Sequence, residues 1–309
     1  MWYKHRMTKS LCCISLKLQE QEIRASTMTK TRFLALERKN AERIVADRTL
    51  NNVVVTRKTL EYCALNKWNY RISSGMMPLE TLPEANLSIE TTYNYTTIKQ
   101  EFDLCNTVIK KNKIRCSTHP DQFVVPASAT KSVVEKSIIE LEAHGKMMDA
   151  MGLPQTYEAP INIHMNCYKG NLNDIALRFI NVYNNLPINV KSRLVLELED
   201  KPNSWGLIKL YDLIYQKTGI PITYDSHHFR LNNPENISPE KAILMCMETW
   251  GKYKPLFHYS NGKTGPTDRA HSDYVYTLHK ELFENDVDVE FEFKAKDYAI
   301  ERFEKEFKI

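Results

Sequence analysis

Six side chains of metal-binding type, three histidines and three carboxylates, stand at or just beyond the ends of short apolar runs. Imidazole nitrogens and carboxylate oxygens together suit Zn, Mn or Fe. Two such ions a few ångströms apart stabilise both the attacking and the leaving oxygen of a phosphoryl displacement. The set therefore predicts a metal-dependent phosphodiesterase. Its members are His119, His164, Glu197, Asp225, His258 and Glu292.

Eight apolar, β-rich runs alternate with longer segments of helical pattern. This alternation predicts parallel strands joined by helices, and it favours a single (β/α)₈ TIM barrel over an open doubly wound sheet. In a barrel the carboxyl ends of all strands meet at one mouth, so the six ligand-type residues form one cluster there. The predicted strands are residues 11–16, 70–73, 114–117, 161–164, 194–198, 220–224, 256–259 and 287–291.

Helical spacing of apolar residues is clearest over residues 132–151, and Gly152 follows as a C-cap. Four other segments, residues 92–111, 173–185, 205–218 and 239–250, carry similar patterns. Residues 75–95 are rich in Pro, Glu and Thr and are predicted to form a long loop, a type of segment that is often functional.

The composition limits the class of protein. At 309 residues with 42% hydrophobic content, the chain can form one barrel over residues 10–309, preceded by a basic leader at 1–9. A net charge of +4 excludes a strong overall positive field. Seven cysteines without a CxxC pair favour a reducing compartment, hence the cytoplasm, or the nucleus of a eukaryote. We expect neither a signal peptide nor a membrane span.

Each ligand-type residue also has a structural interpretation. A lone carboxylate at a strand end is more often a helix cap or an ion-pair partner, but six coincidences are much less probable than one. His5, His144 and His279 lack the strand-end placement and are interpreted as structural or surface histidines. Spacing alone leaves Glu197 and Glu199 as alternatives, because alternate strand residues share a side.

Nine motifs, in order, resemble those of the UV damage endonuclease family, relatives of endonuclease IV and xylose isomerase. They span residues 11 to about 296 and include Tyr70-Arg-Ile-Ser-Ser, His119-Pro-Asp-Gln-Phe and Glu290-Phe-Glu-Phe-Lys-Ala-Lys. The resemblance implies a cluster of two or three divalent ions, Mn²⁺ first, with Mg²⁺, Co²⁺ or Zn²⁺ as alternatives. It selects Glu197 over Glu199, and Glu292 over Glu290. The implied ligands are His119, His164, Glu197, Asp225, His228, His258, His271 and Glu292.

The resemblance also implies the reaction and its substrate. The family hydrolyses the bond immediately 5′ of cyclobutane dimers and 6-4 photoproducts in double-stranded DNA, leaving a 3′-hydroxyl and a 5′-phosphate. Glu197, Asp225, His258 and Glu292 are then the expected catalytic residues. We expect a monomer without membrane association. The rival hypotheses are a sugar isomerase or epimerase on the same barrel, and a lesion-binding protein without cleavage activity.

Several residues are expected to contact DNA. Gln122 and Phe123 match a pair that probes the duplex at the lesion, and Ser15 stands where the family has a lesion-pocket Asn. Two departures bear on the metal cluster: Leu256 replaces a lysine reported close to the metals, and residues 75–87 lack an expected histidine. The cations expected to hold the DNA backbone are Arg71, Lys169, Lys201, Arg230, Lys263 and Arg269.

Overall fold

Eight parallel strands form a nearly closed barrel in the computed structural model, which describes residues 7–202 and 204–307. The predicted TIM barrel is confirmed. Seven of the eight predicted strands coincide with observed ones to within two residues at either end. The strands are β1 (Lys9–Cys12), β2 (Asn69–Ile72), β3 (Cys116–Thr118), β4 (Ile161–Ile163), β5 (Leu194–Glu197), β6 (Ile222–Thr223), β7 (Leu256–Tyr259) and β8 (Asp288–Phe291).

The strand order is β6-β5-β4-β3-β2-β1-β8-β7, so β6 and β7 are the two edge strands of the sheet. An isolated parallel bridge between Asp225, just after β6, and His258 of β7 joins these edges, and in it His258 N–H donates to Tyr224 O at 2.9 Å. Two of the predicted ligands are therefore held side by side by the backbone of the barrel.

Helices follow the strands and cover the outside of the barrel. Besides the numbered helices there is a 3₁₀ turn at Ile89–Thr91 and a π-helical turn at Tyr211–Tyr215. The helices are α1 (Leu16–Glu20), α2 (Lys30–Ala35), α3 (Arg38–Asn66), α4 (Tyr95–Asn112), α5 (Lys131–Ala150), α6 (Leu172–Asn185), α7 (Ile188–Lys191), α8 (Leu207–Leu210), α9 (Gln216–Thr218), α10 (Ser226–Leu231), α11 (Pro239–Thr249), α12 (Lys280–Phe283) and α13 (Lys296–Phe307).

The first predicted strand, residues 11–16, is wrong at both ends. Lys9 already pairs with Val289 of β8, and the chain leaves the sheet after Cys12 because Cys13 adopts a left-handed backbone with φ 70°. Ser15 then caps α1. The strand thus includes Lys9 of the expected leader, whose residues 1–6, with His5, lie outside the described part of the chain.

The predicted helices are confirmed within three residues at each end, with one difference. The segment predicted as residues 205–218 begins at Leu207 and is interrupted by the π-helical turn between α8 and α9. Gly152 caps α5 as predicted: its φ is +65°, and an added Cβ would collide with the Asn106 side chain. The predicted long loop contains only the short 3₁₀ turn before α4 begins.

The apolar core lies between the barrel wall and the helices. Outward-facing strand residues such as Tyr259 and Phe291 pack with Phe283 and Phe303 of α12 and α13. The inside of the barrel is polar by contrast, since buried residues there include Asn162, Glu197 and Glu290. No helix of the described chain is long and apolar enough to cross a membrane.

Candidate metal centre

The carboxylate of Glu197, at the end of β5, lies at the centre of the barrel mouth and is 1% exposed. Its Oε2 is 3.0 Å from His119 Nε2 and 3.1 Å from His258 Nδ1. Its Oε1 is 3.1 Å from His228 Nδ1 and 3.6 Å from His164 Nε2. One carboxylate therefore faces imidazoles delivered by four other strand ends.

Two groups of ligand atoms share this carboxylate. Within each group, all ligand atoms lie within 4.8 Å of one another, a spacing that a single ion can span. A carboxylate common to two groups is suited to bridge two ions. Six of the eight expected ligands are thus brought together. The groups are His119, His164 and Glu197, and Glu197, Asp225, His258 and Glu292.

Several polar atoms in these groups are buried and receive no hydrogen bond. They are Glu197 Oε1, Asp225 Oδ2, His164 Nδ1 and His258 Nδ1. Glu197 Oε1 and His258 Nδ1 lie near charged partners, but the geometry is unsuitable for a hydrogen bond. An unsatisfied buried polar atom costs roughly 1–3 kcal/mol, and a divalent cation would satisfy most of them. The residues present therefore fit metal ions.

Three of the histidines are oriented by backbone carbonyls. In each, Nδ1 lies within hydrogen-bonding distance of a carbonyl oxygen. Nε2 of His119 then faces Glu197, whereas in His228 it is Nδ1 that also lies 3.1 Å from Glu197 Oε1. Such outer contacts fix the tautomer and the direction of a metal-binding imidazole. The pairs are His119 with Pro120 at 2.9 Å, His228 with Leu198 at 3.0 Å and His271 with Glu292 at 2.8 Å.

His228 and His271 lie beside the two groups, with ring centroids 6.2 Å apart. Asp225 connects His228 to the centre: its Oδ1 accepts the backbone N–H groups of His227 and His228, each at 2.7 Å, and caps α10. The other oxygen of Asp225 remains unpaired. His228 and His271 are therefore adjacent to the clustered ligands without belonging to either group.

The pKa values of several residues in the site depend on burial and on the charges of their neighbours. Burial lowers the pKa of His164 to about 4. Burial would also lower the pKa of His228, but the carboxylates of Asp225 and Glu197 raise it to about 10. His164 and His258 hold the pKa of Glu197 well below its ordinary value in spite of its burial. The carboxylate of Glu197 is thus ionised at neutral pH. Protons on the imidazoles compete with metal ions for the same nitrogen atoms.

Comparison with known proteins places this site in a family. The model of the family described as UV-endonuclease UvdE matches residues 9–308. The chain belongs to the UvdE family. A "UV DNA damage endonuclease" of Nostoc sp. is 30% identical over 299 residues, covering 94% of this chain and 87% of the relative. The enzyme class expected from the sequence, an endonuclease, is confirmed.

Two solved structures extend the comparison. The crystal structure of SacUVDE is 25% identical, covers 98% of this chain and 100% of its own, and has a TM-score of 0.81. Endonuclease IV from Thermus thermophilus is 14% identical, covers 81% of this chain and 93% of its own, and has a TM-score of 0.57. The second resemblance shows the fold alone, and the first shows that the barrel is built as in a UvdE structure.

Gln122 and Phe123, the pair expected to probe the duplex, are exposed in the loop after β3, and Phe123 is 76% exposed. An exposed ring three residues after Pro120 cannot be explained by core packing. Ser15 is buried instead, and its hydroxyl donates to Asp297 while it caps α1. This placement gives no support to a direct DNA contact by Ser15.

Of the expected backbone-contacting cations, Lys169, Arg230, Lys263 and Arg269 are exposed. Arg269 pairs with Asp200 at 2.6 Å. Lys201 is half-buried and lies over the ring of Tyr168. Arg71 differs from all of these, because its side chain is only 11% exposed and forms ion pairs inside the barrel with Glu290 and Glu292. Its geometry does not favour a phosphate contact.

Two buried residues beside the ligands are absent from the expected site: Asn162 was missed, and Glu290 was the alternative rejected in favour of Glu292. Asn162 donates its side-chain N–H to Glu197 Oε2, and Glu290 contacts His258. Each lies on a strand two residues before an expected ligand at the strand end, so the alternation of side chains indicates both. His144 and His279 are structural, as expected: they make hydrogen bonds with Thr118 and Tyr224. Leu256 is buried in β7.

Proposed function

We propose that the protein is a metal-dependent DNA repair endonuclease. It hydrolyses the phosphodiester bond immediately 5′ of cyclobutane dimers and 6-4 photoproducts, leaving a 3′-hydroxyl and a 5′-phosphate. The observation that carries the proposal is the carboxylate of Glu197, shared by two groups of metal-ligand atoms at the open end of the barrel. Membership of the UvdE family and the names of the relatives supply the substrate.

The ligands divide between the two groups. Glu197 lies in both, His119 and His164 complete one, and Asp225, His258 and Glu292 complete the other. When bound, divalent ions would activate a water molecule and neutralise charge on the scissile phosphate. The carbonyl contact of His119 keeps its Nε2 directed at the centre, so little reorganisation is needed when the cluster assembles.

Mn²⁺ is the proposed metal. Among the described residues, both groups that contain Glu197 consist only of imidazoles and carboxylates, without thiolate. Such a mixed nitrogen and oxygen environment suits Mn²⁺, and also Zn²⁺ or Co²⁺, while Mg²⁺ prefers oxygen ligands. Activity with each metal in turn therefore tests this choice.

The substrate is proposed to be damaged double-stranded DNA bound by a monomer. Phe123 can stack in the gap left by extruded nucleotides, an interaction worth about 1–3 kcal/mol per base, and Gln122 can form hydrogen bonds there. Lys263, Arg269 and Arg230 are exposed and can neutralise phosphates, so binding should weaken as salt is raised.

The test uses the purified protein, Mn²⁺ and a labelled duplex with one cyclobutane dimer, alongside the same duplex without damage. We expect a single nick at the 5′ side of the dimer, a product that a DNA polymerase extends from its 3′-hydroxyl, and no nick in the undamaged duplex. Lesion-specific binding without a nick under Mn²⁺, Co²⁺ and Mg²⁺ would contradict the proposal and would make the protein a binding protein.

A further inference from the structure

His258 differs from the histidines that are oriented by carbonyl oxygens. Its Nδ1 faces the candidate metal centre, 3.1 Å from Glu197 and 3.4 Å from Glu292. Its Nε2 is 3.1 Å from Glu290 Oε2, a carboxylate. The ring is 1% exposed, so no water competes for this contact.

Glu290 is a buried carboxylate whose two oxygens are both used by protein donors. Oε1 accepts the hydroxyl of Ser117, and Oε2 accepts Arg71 Nη1 at 3.0 Å in addition to facing His258. These partners come from β3, β2 and β7, and Glu290 is paired in register with His258 across β7 and β8. Glu290 therefore joins four strands.

These contacts distinguish Glu290 from Glu197 in the number of carboxylate oxygens that are available to an ion. Glu197 has an oxygen that is buried without a hydrogen bond, whereas neither oxygen of Glu290 is unpaired. Because both oxygens of Glu290 already accept hydrogen bonds from protein groups, neither is well placed to bind an ion. The geometry favours a supporting role for Glu290 over ligation, although it lies near Cys12 and Glu292 in a third group of ligand-type atoms.

Arg71 links Glu290 to Glu292. The same Nη1 atom that donates to Glu290 also donates to Glu292 Oε1. Both carboxylates stand on one side of the chain, two residues apart. A guanidinium held by Glu290 therefore sets the direction of the Glu292 carboxylate at the edge of the centre.

We propose that Glu290 is a positioning residue for the metal centre. It holds His258 with Nε2 towards the barrel interior, so that Nδ1 is presented to the ion, and it fixes Arg71 against Glu292. A carboxylate that orients a metal-binding imidazole typically contributes about 10- to 100-fold to metal affinity. The inference rests on the proposed function, because it presumes that the centre binds divalent ions.

The test compares Glu290→Gln with the unchanged protein, using Co²⁺ alone and then Mn²⁺ alone, without DNA. Glutamine keeps the volume but has one acceptor oxygen instead of two, so it cannot accept hydrogen bonds at both former oxygen positions, from Ser117 at one and from Arg71 and His258 at the other. We expect one of the bound ions to dissociate about 10- to 100-fold more readily. The visible absorption of the Co²⁺ form should change, because coordination by His258 is altered.

Asp288→Asn is the matched control. Asp288 is a buried carboxylate on the same strand and the same side as Glu290, but its contacts are Arg115 and Lys254 at the other end of the barrel. Its replacement should leave the affinity for Co²⁺ and the absorption spectrum unchanged. A general loss of stability would affect both variants, which thermal unfolding in a chelator measures independently.

If Glu290→Gln does not fold, Ser117→Ala replaces it, because it removes one hydrogen bond of Glu290 and no contact of His258. We then expect about 2- to 10-fold weaker binding of the same ion. Unchanged affinity and spectrum in the folded variant would overturn this inference alone. Failure of the unchanged protein to bind either metal would overturn the proposed function as well.

Discussion

Replacing Glu197 with glutamine should remove the connection between the two ligand groups. The amide has the volume of the carboxylate, so the barrel mouth keeps its packing. It loses one negative charge, however, and one of its two oxygens becomes a donor. Because both oxygens of Glu197 face imidazole nitrogens, either orientation of the amide turns N–H groups towards ligand atoms.

The size of the effect follows from the number of ions affected. A residue that only supports a ligand already changes metal affinity by about 10- to 100-fold. Glu197 offers oxygen atoms to both groups, so we take about 100-fold for each of two ions. The combined loss is about 10⁴-fold, or about 5.5 kcal/mol. Nicking should fall by at least about 100-fold at a metal concentration near the dissociation constant of the unchanged protein.

Metal content after dialysis, Mn²⁺ titration calorimetry and nicking of a duplex with one dimer provide the assay. Glu199→Gln is the control, because Glu199 is buried two residues further on and accepts the backbone N–H of Asn166. The control should keep both ions and full activity. If Glu197→Gln retained two tightly bound ions and cleaved normally, the shared-carboxylate reasoning would be wrong.

Three further predictions concern other parts of the molecule. Phe123→Ala should scarcely alter stability, because the ring is 76% exposed, but discrimination of damaged from intact DNA should fall by about 5- to 150-fold in competitive nicking. Burial, and secondly Glu90, raise the pKa of Glu80 to about 7, so the folded state loses stability as pH rises from Glu80's ordinary value of 4.5 through 7. Glu80→Gln should therefore add about 1–2 kcal/mol to the free energy of unfolding at pH 8 and nothing at pH 4, and an equal gain at both would refute the assignment. Arg193 is fully buried, pairs with Asp149 and donates to backbone carbonyls, so Arg193→Met should cost about 3–5 kcal/mol in urea unfolding without changing Mn²⁺ affinity.

Much of the candidate site could be predicted from local pattern. Apolar runs predict parallel strands, and a barrel brings the carboxyl ends of its strands to one mouth. Once a barrel is predicted, His164 and Glu197 at two strand ends are therefore expected to lie near one another. The resemblance then selected Glu197. In the structure Glu199 accepts the backbone N–H of Asn166, while Glu197 contacts four histidines.

Other assignments depended on distances across the barrel. Arg71 looked like a loop cation, yet its side chain reaches Glu290 and Glu292 on another strand. Ser15 looked like part of the lesion pocket, yet it meets Asp297, 282 residues away. Neither contact leaves a periodic signal, because each joins two single residues that are distant in the sequence.

The sequence by itself determined the number of strands and the mouth at which the ligand-type residues gather, because side-chain alternation and helical spacing are local properties of the chain. The pair Gln122 and Phe123 was identified by the resemblance alone, and the structure added that both side chains are exposed. Only the tertiary structure showed that the carboxylate of Glu197 faces four imidazoles and that both oxygens of Glu290 are occupied by protein donors. Glu290 and Glu292 share a strand and a side, so the alternation rule treats them alike. The pairing of Glu290 with His258 distinguishes them, and that register exists only when β7 and β8 pair in the folded sheet.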